Sequence, residues 1–470
     1  MRKLVVVGCL SLVALGLGAG FSAAAFTRST SVAGNGITAD ALRNYFSVTP
    51  GTDVQPGTST AVASGNVDGL SIDLGTVPSA RTFSNVFRIT NVSGATQTAT
   101  LTLSSVPQVS SAVFASNGSG SVTLAAGSST TLSVTTSTTV AGRGIGTLRL
   151  GLSGTSWLYR DYSFRLDEAP EAPGAPTAAQ KPAGRIDLSW PASSTTTNFA
   201  GYDVYRSSGG GAFTKINGTL LTTLTYSDTA TVDGTAYTYK VKAVSSGTPV
   251  LTSVDSATVN ATADATAPGQ PSGIVLTNGG GAGNAYINAA NAGSISISVN
   301  LAANSLTTDT VQLTVSHGAS VTATHAGTAG AGTITFTGLN LSGLGDGAVT
   351  ISAISTDLAG NVSTAGTATV TKDTVAPGVP TANYTDNNNA VADQVSGTAE
   401  ANASITVTKT SPAPTATYPT TASGAGAYSV LVAAVAGKPN PPTAVTYTIT
   451  ATDAAGNTSG AYTLNYNDTK

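Results

Sequence analysis

Apolar and polar side chains alternate along most of this chain. Val445, Tyr447, Ile449 and Ala451 fall on one side of the backbone, and Thr446, Thr448, Thr450 and Thr452 fall on the other. The same alternation runs through Ile295, Ile297, Val299 and Leu301, through Val311, Leu313 and Val315, and through Val349 and Ile351. It returns earlier at Phe87 and Ile89, at Ala99, Leu101 and Leu103, and at Leu148, Leu150 and Leu152. A period of two marks a strand with one face in a core. Turn residues separate the runs, as in a β-sandwich. No long stretch after the N-terminus has a helical period, so the pattern predicts an all-β protein.

Two features divide the chain. Proline-containing segments recur as EAPGAPT at 171–177, DATAPGQPS at 264–272 and DTVAPGVPT at 373–381. Proline fixes φ and cannot donate to a sheet ladder, so closely spaced prolines make stiff connectors. The peptide STDLAGNVS at 355–363 also returns as ATDAAGNTS at 451–459. In both, an Asp ends an alternating run, and the Gly and Asn that follow tolerate positive φ. Each reads as a hairpin between the last two strands of a module, repeated because the module repeats. The expected order is a signal peptide over 1–25 and a sandwich over 26–168. Further sandwiches follow over 169–264, 265–374 and 375–470.

Composition agrees. The 470 residues exceed one ordinary core. Only 9% are charged and the net charge is −3, which is no footprint for nucleic acid. Arg2 and Lys3, the apolar run from Leu4 and the small residues Ala23 to Ala25 have the form of a secretory signal. Cys9, inside that run, is the single cysteine. A mature chain without it has no thiol chemistry and no disulfide, and each module must hold by its core alone.

The second module resembles a fibronectin type III domain through IDLSW, GYDVYR and DGTAYTYKVKAV. That resemblance implies a core built on Trp190, Tyr202, Tyr237 and Tyr239, with the Tyr237 hydroxyl bonding back to backbone. The third and fourth modules resemble bacterial immunoglobulin-like repeats of surface proteins and large adhesins, through the D-x-x-A-P segment and the T-D-x-A-G-N hairpin. The first resembles an immunoglobulin-like domain of exported bacterial proteins, through SIDLGTVPSARTFSNVFRITNVSG. Its post-signal stretch AAFTRSTSVAGNGITADAL is similar to exported fibre-forming matrix proteins.

Candidate chemistry is sparse. His317 and His325 lack a nucleophile motif and read as strand or loop histidines. No phosphate loop or zinc-helix motif stands out, so no catalytic residue is expected. Calcium is the one cofactor considered, as a structural ion. Asp264 and Asp373 stand at junctions, Asp357 and Asp453 in the repeated hairpin, and Asp386 and Asp393 near the start of the last module. Calcium takes several oxygen ligands, and related adhesin repeats bind it between domains. The competing reading is that each Asp caps a turn or hairpin. In SWLYRDYSF, Trp157 and Tyr159 share one strand face and Tyr162 and Phe164 the other. The first pair could stack on sugar rings, unless that face is core.

The reading is a non-enzymatic exported protein of tandem sandwiches, acting as a cell-surface stalk, spacer or adhesin-like element. Two alternatives stand: a carbohydrate- or polymer-binding protein with the first sandwich as its module, and a fibre or matrix subunit. The expected partner is a surface polymer, glycan or protein, with no nucleic acid, and no membrane once the signal is cleaved.

Overall fold

The computed structural model describes residues 25–28, 42–51, 70–156, 158–326, 332–387, 392–433 and 443–468. The expected signal peptide lies outside these residues except for Ala25, and Trp157 lies outside them too. The chain divides into two compact units, Met1–Asp264 and Ala265–Lys470. Among the described residues, buried apolar side chains gather into four clusters, two in each unit. No described helix is long and apolar enough to cross a membrane.

In the first unit, one sheet runs in the order Ala25–Arg28, Leu70–Val77, Tyr159–Glu168, Gly142–Leu152, Gln97–Leu103 and Ser121–Leu124. Leu70–Val77 pairs parallel with Tyr159–Glu168, and the other pairings are antiparallel. A second sheet holds Phe46–Pro50, Phe87–Asn91, Ser129–Thr136 and Thr82–Phe83, with Val109–Phe114 also on Ser129–Thr136. Phe87, Ile89, Ala99, Leu101, Leu148, Leu150, Tyr162 and Phe164 all point into the core between them. Leu103 is only partly buried.

The next sandwich of this unit stacks Thr177–Gln180, Ile186–Ser189 and Thr225–Asp228 on a four-stranded sheet. That sheet runs Thr214–Lys215, Phe199–Ser208, Ala236–Ser245 and Val259–Thr262. Its core holds Trp190, Tyr202, Val204, Tyr237, Tyr239 and Val241. Trp190 meets Tyr202 edge-on at 5.7 Å, and Phe199 meets the same ring at 5.0 Å.

The second unit repeats this scheme twice. Ser272–Leu276, Ile295–Asn300 and Thr333–Leu339 face the sheet Tyr286–Ile287, Gly366–Lys372, Gly347–Thr356, Thr310–His317 and Ala319–Ala326. Asn383–Thr385, Asp393–Thr398 and Ala427–Val432 then face Ala416–Thr421, Ser404–Ser411, Thr443–Thr452 and Tyr462–Asp468. Val445, Tyr447, Ile449 and Ala451 are buried, while Thr446, Thr448, Thr450 and Thr452 are half-buried on the other face. His317 ends one strand and its Nδ1 lies 2.8 Å from the Ala348 carbonyl. His325 is not a purely solvent-facing side chain, because its ring meets Phe336 edge-on at 5.8 Å.

Candidate functional site

The repeated peptide folds the same way twice. Asp357 N–H donates to the Asn361 carbonyl, and Asp453 N–H to the Asn457 carbonyl, both at 3.1 Å. Gly360 and Gly456 sit at φ +91° and +92°, where a side chain would strain the turn. Each Asn closes the loop onto the Asp carboxylate. Asn361 bonds Asp357 through its backbone N–H at 2.8 Å and its amide at 2.9 Å, and Asn457 bonds Asp453 at 2.8 Å by both routes. The hairpin is a carboxylate–carboxamide clasp that needs Asp and Asn four residues apart.

In the last sandwich this clasp is also a joint. The Asn457 amide nitrogen donates to the Asp373 carbonyl of the connector at 2.9 Å, and its oxygen accepts the Ala289 N–H at 3.0 Å. Asn288 returns a bond from its amide to the Ala455 carbonyl at 2.8 Å. Gly280 and Gly281 let the two backbones approach. A β-carbon on Gly280 would come within 2.4 Å of the Ala455 oxygen, and one on Gly281 within 2.3 Å of the Ala454 oxygen. Asn457 is 6% exposed and Asn288 7%, so their amides spend their bonds inside the joint.

The first unit has a joint of different chemistry. Thr196 and Thr197 N–H both donate to the Thr139 carbonyl, at 2.9 and 3.0 Å, and Ala141 N–H donates to the Thr197 carbonyl at 3.1 Å. Asn198, at φ +57°, donates from its amide to the Ala141 carbonyl at 2.9 Å. The connector is stapled to both sandwiches. Ala169 N–H donates to Val77, the Glu171 carboxylate accepts the Ala80 N–H, and Glu171 N–H donates to Thr195 Oγ1.

Five of the six candidate calcium carboxylates accept from protein donors. Asp357 and Asp453 accept from their own hairpin asparagines, as above. Asp373 accepts the Val375 N–H at 3.1 Å, and its carbonyl meets Asn457. Asp393 is buried and accepts from the Tyr384 hydroxyl and the Asn387 N–H, while Asp386 accepts the Tyr466 hydroxyl at 3.0 Å. The Asp264 carbonyl accepts the Gly184 N–H at 3.1 Å. Among the described residues no three Asp, Glu, His or Cys side chains converge as a metal site would require. Tyr159 stays 39% exposed, but the Arg149 guanidinium lies 3.7 Å above its ring, and Arg149 also holds Asp161.

In the second sandwich, the Tyr237 hydroxyl oxygen accepts the Val232 N–H at 2.9 Å, and the Tyr202 hydroxyl oxygen accepts the Ser193 N–H at 2.9 Å. Arg206 pairs with buried Asp228 at 2.9 Å, and Tyr239 donates its hydroxyl to the same carboxylate at 2.9 Å. Burial and that carboxylate push the Tyr239 hydroxyl far up. Of the joint residues Asn457, Asn288, Gly280, Gly281 and Asn198, sequence pointed only to the first, as a turn residue tolerant of positive φ, a conformation that Gly456 takes and Asn457 does not. The repeat of Asp-x-x-x-Asn was the available signal for the first of these.

Residues 376–468 match the family model described as Bacterial Ig domain. Chitinase C of Streptomyces lividans is 36% identical over 117 residues, which are 25% of this chain and 15% of that protein. Chitinase 63 of Streptomyces plicatus is 35% identical over 117 residues, with the same shares of 25% and 15%. The chain thus spans about 15% of the length of the curated relatives it matches. A solved structure concerning host cell surface retention of a 1.5-MDa bacterial ice-binding adhesin is 22% identical, at a TM-score of 0.27, and the match covers 64% of this chain and 98% of that one. The chain is a multidomain all-β protein of immunoglobulin-like and fibronectin type III-like sandwiches, and its last sandwich matches the bacterial Ig domain family.

Proposed function

We propose that this chain is a non-enzymatic spacer or stalk element of an extracellular, adhesin-like protein, which holds something at a fixed distance. The observation that carries this reading is the joint at Asn457. A flexible linker would leave its polar groups to water, whereas here Asn457, Asn288 and a pair of glycines fit two sandwiches together. The joint at Thr139 and Asn198 supports it in the first unit. The match to two chitinases covers a Fn3-like region of 117 residues, a small part of those enzymes, and supports a structural role for that stretch. Low charge suits a surface that avoids nonspecific adhesion.

The test is pulsed electron spin resonance on the full chain in a Cys9→Ser background. One label pair at Ala126 and Thr229 reads the first unit, and one at Thr307 and Thr415 reads the second. Narrow distance distributions in both are expected. Broad distributions in both overturn the stalk reading.

A further inference from the structure

The strand Tyr159–Glu168 ends on a carboxyl that the fold buries: Glu168 is 1% exposed. It stands directly opposite Gly142, and opposed residues of an antiparallel pair share a face. On that face the Asn198 side chain of the next sandwich occupies the ground beside Gly142, 3.4 Å from where a β-carbon would stand. One step further, Gln108 fills the space beside Gly144. Glu168 therefore shares a sheet face with the ground that Asn198 of the first unit's joint covers.

Its surroundings offer little to an anion. Thr136 donates one hydroxyl bond to Oε1 at 3.3 Å, and among the described residues the buried Oε2 has no hydrogen-bond partner. Gln108 Oε1 is likewise a buried acceptor with no donor, while the Gln108 amide nitrogen is committed to the Ala141 carbonyl. Among the described residues, the titratable group acting on Glu168 is Glu171, which carries like charge. Arg81 turns its guanidinium over the Phe83 ring. Asp167, Arg143 and Arg165 form their ion pairs around the neighbouring residue of the strand, whose side chain points to the opposite face.

We propose that Glu168 is a proton-controlled latch: uncharged, it lets the Thr195–Asn198 loop seat on the first sandwich, and ionised, it lifts that loop. Burial pushes its carboxyl up to about 8, with Glu171 adding to the shift and the Thr136 bond opposing it. Below that value the acid is neutral and the joint is closed. Above it, a carboxylate with a single donor must draw in water. The strand side of its pocket is a continuous ladder, whereas the loop side is held by separate bonds: those among Thr139, Ala141, Thr196, Thr197 and Asn198, those of the Ser194 and Thr195 hydroxyls to the Thr138 carbonyl, and that of the Glu171 N–H to Thr195 Oγ1. The loop is the side that yields. This makes the joint stiff in neutral or acidic surroundings and loose in alkaline ones, whatever the chain carries at its ends.

The test is hydrogen exchange on the full chain at pH about 6.5 and about 9, corrected for intrinsic rates. The Ala141, Thr196 and Thr197 amides are expected to lose protection by about tenfold or more at the higher pH. The Leu148 and Leu150 amides should keep theirs, and Glu168→Gln should hold the joint closed throughout. Unchanged joint protection at the higher pH, or the same loss in Glu168→Gln, overturns the proposal. Should that variant not fold, carbon NMR of the glutamate carboxyls in the unaltered chain decides. A Glu168 midpoint near 8 supports the latch, and one near the ordinary 4.5 overturns it.

Discussion

Asp167 and Glu168 are consecutive residues of one strand whose carboxyls are driven in opposite directions. The Asp167 carboxylate takes the Arg143 fork at 2.8 Å and Arg165 at 2.8 Å, and these bonds hold it below the usual range against the cost of burial. The Glu168 carboxyl, buried with one weak donor, is pushed up to about 8. The alternation of the strand separates them: one meets the charged outer face, the other the inside.

Opposite shifts give opposite pH limbs. Asp167 stabilises the fold above its unfolded value, and that contribution fades as pH falls through the lower folded one. Glu168 keeps its proton when folded and releases it when unfolded between about 4.5 and about 8, so stability falls as pH rises across that window. The first unit's melting temperature should therefore peak in mildly acidic solution. Arg143→Ala removes the largest cause of the Asp167 shift, so it should flatten the acid limb and leave the alkaline one, as thermal melts across pH would show.

Asn457→Ala should destabilise the second unit by about 1–3 kcal/mol, the cost of stranding buried partners. Asp373, Asp453 and Ala289 each lose a bond to it. Calorimetry of the full chain should show the transition assigned to this unit shift down and broaden as its sandwiches uncouple. A melt matching the unaltered chain would mean that the joint contributes nothing.

Gly280→Ala tests the same joint by wedging it, with no hydrogen-bonding side chain substituted. Its β-carbon would stand 2.4 Å from the Ala455 oxygen and 2.2 Å from the Asn288 amide. Both sandwich cores lie elsewhere. The expected result is a folded unit with a broadened distance distribution between labels at Thr307 and Thr415. A distribution as narrow as the unaltered one would show that the joint tolerates the wedge.

Removing Asp228 should hurt the fibronectin-like sandwich more than any surface change. Asp228→Ala leaves Arg206, a largely covered cation, without its carboxylate, and takes the acceptor from Tyr239. Breaking a buried pair from one side costs about 3–5 kcal/mol. Denaturant melts followed by Trp190 fluorescence in a Trp157→Phe background report on this core directly.

Calcium and EDTA should leave both units' melting temperatures where they are. At Asp357 and Asp453 each carboxylate already accepts two bonds from its own hairpin asparagine, which a metal would have to displace. A rise in melting temperature on adding calcium would show that the ion reshapes these turns.

Much of this molecule could be read from spacing alone. The alternation at Val445–Ala451 and Ile295–Val299 specifies strands because side chains on a pleated chain must choose one of two faces, and only one can leave water. The repeated Asp-x-x-x-Asn loop is equally local: its bonds close within five residues. The aromatic core of the second sandwich was not read from spacing; its resemblance to a fibronectin type III domain implied it.

What the sequence could not give is which of two like groups meets a partner. Gly280 and Asn288 look like ordinary loop residues until the last sandwich places Ala455 against them, far along the chain. Glu168 and Asp167 differ by one methylene and one position, yet one is buried with a hydroxyl donor from Thr136 and pushed up, while the other is held down by Arg143 and Arg165. Local pattern sets which side chains turn inward. Their charge and their partners are set by desolvation and by contacts that exist only once distant segments have met.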